Sequence, residues 1–80
     1  MDKDEAERLA RAIRRLKRDW IQVSGVEYHP FTDQYEVKCE EKHLHTGLFH
    51  SRASWTTLWI TSPRQWIEVL THHGGRLELP

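Results

Sequence analysis

Eighty residues, 38% hydrophobic and 30% charged, describe one small globular domain and exclude both a disordered chain and a membrane-spanning one. Twelve Lys and Arg balance twelve Asp and Glu, so net charge makes no case for nucleic acid or a membrane surface. The distribution of charge says more: residues 8–18 hold six basic side chains and no acid, while residues 1–7 hold four acids and one lysine.

Residues 4–19 are predicted to form a helix, because Leu9, Ile13, Leu16 and Trp20 recur every three or four residues, with Ala6 and Ala12 flanking the stripe. Asp2 or Asp4 is placed to cap it, and its acid-first, base-last order complements the helix dipole. At about 100° per residue, Arg8, Arg11, Arg14, Arg15 and Arg18 fall on one arc opposite the apolar stripe. Residues 20–28, WIQVSGVEY, have strand composition, and a bulge or bend at Gly25 reconciles Ile21 and Val23 with the opposite parity of Val26 and Tyr28. A turn follows at residues 29–34. In residues 34–41 Tyr35, Val37 and Cys39 alternate with polar neighbours, the pattern of a sheet with one buried and one wet face.

Residues 42–54 allow two paths: the hairpin extends through Leu44, or a loop wanders through Gly47 with Leu48 or Phe49 anchored. Residues 55–61, WTTLWIT, read as a strand from their β-branched and aromatic content. Ser62-Pro63-Arg64-Gln65 is a helix start, with a serine cap, proline in the first turn and glutamine three residues after the cap. Trp66, Ile67, Val69 and Leu70 form the apolar face of that helix, and the HHGG at residues 72–75 ends it. Leu77 and Leu79 suit a short final edge strand. The expected fold is α+β: a two-layer domain with a three-stranded antiparallel sheet and two helices on one face, in the order α-β-β-β-α.

In the strand at residues 55–61, Trp55, Thr57 and Trp59 share one face and Leu58 and Ile60 the other, so the strand is apolar on both sides. Either residues 42–54 or the C-terminal tail covers its second face, or that face meets a partner. A core of this size supplies roughly 3–5 kcal/mol of net stability, and a lone cysteine excludes an internal disulfide, which favours a homodimer. Cys39 is expected to be a buried, reduced thiol. That expectation, with charges in residues 1–15 where a secretory signal has its apolar segment, points to the cytoplasm.

The chemistry of sites adds little. His43 and His45 have strand spacing near Cys39, Glu40 and Glu41, but zinc ligands usually come in two short-spaced pairs and only one is visible, so no metal and no cofactor are expected. Ser24, Ser51, Ser54 and Cys39 stand in no nucleophile signature, and no glycine loop cradles a phosphate. The element order resembles the double-stranded-RNA-binding fold used by one group of bacterial toxins. The resemblance implies a small ribonuclease, with His29 as the acid or base, although no Gly-Ser-His motif and no basic cluster at the second helix accompany it. The leading expectation is a non-catalytic protein-interaction module of the regulator or inhibitor type, acting through Trp55, Thr57 and Trp59 and the arginine helix. Binding of RNA or DNA by the arginine arc is the alternative.

Overall fold

Asp2 accepts a hydrogen bond from the Glu5 amide at 2.7 Å, and from that cap the first helix, α1, runs Lys3–Leu16. The computed structural model describes residues 1–74 and continues with β1 (Ile21–His29), β2 (Gln34–Thr46), β3 (Ser51–Ile60) and α2 (Pro63–His72). The strands form one antiparallel sheet in the order β1-β2-β3, so the chain has the expected α-β-β-β-α order and α+β class. The strand expected at Leu77 and Leu79 lies outside the described residues.

The helix α1 stops three residues before its predicted end, because Lys17 takes the left-handed conformation (φ 50°) and its amide turns back to the Arg14 carbonyl. Trp20 and Arg18 therefore leave the helix. The buried stripe is also displaced: Ala6, Ala10 and Ile13 face the sheet, while Leu16 and Ala12 are exposed. Alanines at the contact let the helix lie close against β1 and β2, and the larger Leu9 is only partly buried beside them.

In β1 the register shifts between Val23, opposite Cys39, and Gly25, opposite Lys38. Ser24 is the extra residue of this bulge, which brings Val26 to the same face as Ile21 and Val23, as the mixed parity required. The turn to β2 is held by the Tyr28 hydroxyl, which donates to the Asp33 carboxylate at 2.6 Å. That bond raises the phenol's pKa above its ordinary value.

The β2–β3 ladder continues without a register shift from Val37 opposite Ile60 to Thr46 opposite Ser51. Residues 42–54 thus extend the hairpin, and they cover no face of it. Leu48 and Phe49 occupy the connecting turn at 97% and 94% exposure rather than anchoring it, since the Gly47 amide bonding to the His50 carbonyl closes the turn ahead of any core contact.

Residues opposite one another across strands share a face. Ile21, Val23, Val26, Val37, Cys39, Leu58 and Ile60 thus meet the helices, together with Trp66 and Leu70 of α2. Trp66 is in the core, as its place on α2 predicted, but Ile67 is 45% exposed, because of the four apolar residues it is Trp66, Val69 and Leu70 that turn toward the sheet.

Ser62 caps α2 by accepting from the Gln65 amide at 3.1 Å. The Gln65 side chain reaches back past the cap, accepting from the Thr61 amide at 2.7 Å and donating to the Trp59 carbonyl at 3.0 Å. It therefore ties α2 to the end of β3. Ser62→Ala removes one acceptor from this start and is expected to cost about 1 kcal/mol, read as a lower urea midpoint with an unchanged slope.

Candidate functional site

The helices cover one face of the sheet, and the other face is open among the described residues. Trp55, Thr57 and Trp59 stand on that open face, because Leu58 and Ile60 point to the helices. Their partners on β2 alternate in kind: Trp59 lies opposite Lys38, Thr57 opposite Glu40, and Trp55 opposite Lys42. The face therefore carries two tryptophan–lysine rungs on either side of a threonine–glutamate rung.

Each rung has a local cause. The Lys38 ammonium sits 5.6 Å from the centre of the Trp59 ring, within cation–π range, and the His29 ring meets the same indole edge-on at 4.7 Å. These neighbours leave Trp59 half-buried. Thr57 donates to Glu40 at 3.2 Å. Trp55 has no such cover among the described residues and is 42% exposed.

His29, the candidate acid or base, lies under the Trp59 indole. Its Nε2 is buried without a hydrogen-bond partner among the described residues, with Glu36 at 3.9 Å, beyond hydrogen-bond reach.

The arginines divide. Arg8, Arg11, Arg14 and Arg15 are exposed on α1, whereas Arg18 follows the helix in the turn to β1. Arg8 already pairs with Asp4 at 3.5 Å. This basic surface is on the helix layer, opposite the open sheet face, so a single flat partner does not touch both.

A third group was not legible as a unit in the sequence. On the helix side, beyond the core, Glu41 accepts from His73 Nε2 at 2.6 Å and stands 3.4 Å from His43 Nε2. The His73 ring stacks on Trp20 at 3.8 Å, and Trp20 stacks on Trp66 at 5.9 Å. Trp20, His43, His45 and His73 border an open cavity of about 460 Å³.

This group resembles catalytic machinery without its geometry. A relay needs a carboxylate on one ring nitrogen of histidine and a hydroxyl on the other. Here Glu41 and the Thr56 hydroxyl, at 2.9 Å, both approach Nε2 of His43. Among the described residues no three His, Cys, Asp or Glu side chains are placed to hold a metal. The visible work of the group is structural, fixing the end of α2 to β2. His43 and His45 were apparent as a pair from their spacing, but only the packing of Trp20 brings His73 to them.

Among the described residues no helix is long and apolar enough to cross a membrane. The chain matches no known family model, no curated protein and no solved structure.

Proposed function

We propose that this chain is a non-catalytic protein-interaction module, of the small regulator or inhibitor type, whose working surface is the open sheet face at Trp55, Thr57 and Trp59. The observation that carries the proposal is the pair of tryptophan–lysine rungs on a face that no described residue covers. Indoles contribute large apolar area at little entropic cost and dominate the centres of protein interfaces. Lys38 and Lys42 beside them, with Glu36 and Glu40, supply a mixed-charge rim that favours a protein surface over a uniformly anionic polymer.

The test is affinity capture from extract of the cells that make the protein, with and without nuclease, using wild type and Trp55→Ala. Trp55 is exposed, so the substitution leaves the fold intact. Wild type is expected to retain specific proteins after nuclease, and Trp55→Ala to bind them roughly 30-fold more weakly, the effect of losing an aromatic hot spot. Equal capture by both chains defeats the proposal.

Capture that disappears with nuclease supports the second reading instead, RNA or DNA held by Arg8, Arg11, Arg14 and Arg15. The exposure of these four on one helix favours it, and it requires binding that weakens steeply with salt. Self-association, the remaining part of the proposal, is assigned to a different surface, the edge of β3 that no described residue pairs with.

A further inference from the structure

The edge strands of the sheet are treated differently. Strands at sheet edges expose unpaired amides and carbonyls, and proteins blunt them with bulges, proline, lysine or other charges. The bulge at Ser24 interrupts β1, and Glu27 adds a charge to it. By contrast, β3 has ten residues, no register shift, no proline or lysine, and one charge, Arg52. Its only neighbour among the described residues is β2, and residues 51–57 are exposed throughout.

We infer that the free edge of β3 pairs antiparallel with β3 of a second copy, joining the two sheets into one. A second copy is the occupant the strand's own chemistry selects. Antiparallel pairing of a strand with itself is two-fold symmetric, so it makes a dimer that uses both β3 edges and leaves only the bulged β1 edges outermost. Centred on Ser54 or Trp55, the middle of the free stretch, the pairing places Arg52 opposite Thr56 or Leu58 of the other copy, and no like charges meet. Centred on Trp55, the pairing sets the two Trp55 side chains opposite one another on the open face, and centred on Ser54 it makes them diagonal neighbours. Each supplies the cross-strand aromatic neighbour that the other lacks.

This inference goes beyond the open-face proposal and stands or falls separately. Its test is Ser54→Lys with Thr56→Lys. Both positions are exposed and point to the helix side, away from Trp55 and Trp59, and Thr56 lies opposite Glu41, which offers the new lysine a partner within its own chain. In either central register the lysines face a lysine or Arg52 of the other copy.

Sedimentation equilibrium is expected to show wild type forming a dimer at micromolar concentration. The double variant should associate at least about tenfold more weakly, because directly opposed like charges destabilise a strand pair. Far-UV circular dichroism should be unchanged, and the monomer's unfolding midpoint should fall only slightly, because the variant gives up the exposed Ser54–His45 and Thr56–His43 hydrogen bonds. Hydrogen exchange supplies the second measurement: alternate amides of residues 51–57 should gain protection as wild-type concentration rises.

Wild type that stays monomeric overturns the inference. So does protection that does not depend on concentration, which would place the chain's own tail on this edge. A variant that dimerises as well as wild type assigns the dimer to another surface. The double variant keeps the open face, so it should still capture the partners that Trp55→Ala loses. That result separates failure of the dimer from failure of the interaction proposal.

Discussion

Trp66→Ala is expected to leave the chain largely unfolded at room temperature. Trp66 is buried, and with Leu70 it is one of two buried side chains that attach α2 to the rest of the molecule. It also forms one end of a stack, against Trp20, whose other face carries His73. Truncating a buried tryptophan costs about 3–5 kcal/mol. A core of this size supplies roughly the same net stability, so little margin remains. Losing the indole also frees Trp20, which holds His73 against Glu41, and the far end of α2 loosens with it. Far-UV circular dichroism and urea titration check the prediction. A cooperative transition within about 1 kcal/mol of wild type would mean that α2 is held elsewhere.

The second large effect is alkaline. Cys39 is 0% exposed on the helix face of the central strand, and burial pushes its thiol up to about 11, from an ordinary value of 9.0. The nearby Arg14 works in the opposite direction but does not offset burial. The folded chain therefore holds the proton more tightly than the unfolded chain does. Below the unfolded value both states are protonated, and the contribution is fully present. Between about 9 and 11 the unfolded chain loses its proton first, so stability falls as pH rises through this window.

A shift of this size corresponds to about 2–3 kcal/mol. Lysines and tyrosines titrate in the same range, so the comparison is with Cys39→Ala. The alanine variant carries a constant cavity cost at every pH, and from pH 9 to pH 11 its stability relative to wild type should rise by about 2–3 kcal/mol. A difference that stays constant would mean that the thiol ionises without unfolding the chain. At neutral pH a soluble disulfide reagent should react with the native thiol only as fast as the chain opens.

The elements that were clear in the sequence are those with two agreeing signals. Tyr35, Val37 and Cys39 gave β2 its alternation, and Ser62-Pro63 with Gln65 gave α2 its start; both elements stand where the pattern placed them. The mixed parity of β1 required its bulge. Faces proved harder than elements. Hydrophobicity points to the stripe Leu9-Ile13-Leu16, of which Ile13 is buried, but the contact selects for close approach, which Ala6 and Ala10 allow.

Residues 42–54 are ambiguous because their histidines and serines break any apolar alternation. They join the sheet through backbone pairing and hydroxyl–imidazole bonds, such as His45 to Ser54 at 2.8 Å. For the candidate site, the strand period correctly divided Trp55 and Trp59 from Leu58 and Ile60. The lysines opposite the tryptophans could not be foreseen, because register is a property of the pair of strands.

The register-true extension of the hairpin gives the molecule two mechanical zones. From Val37 to Cys39 on β2, and from Leu58 to Ile60 on β3, the ladder is clamped by the helices. From His43 opposite Ser54 outward, among the described residues, the backbone ladder has only its own rungs, and the turn carrying Leu48 and Phe49 is almost fully exposed. Opening therefore begins at the turn and can travel inward without disturbing a core contact, so the outer rungs can twist to fit another strand while the inner rungs stay fixed. Any adjustment on association is confined to the part of the chain that folding uses least.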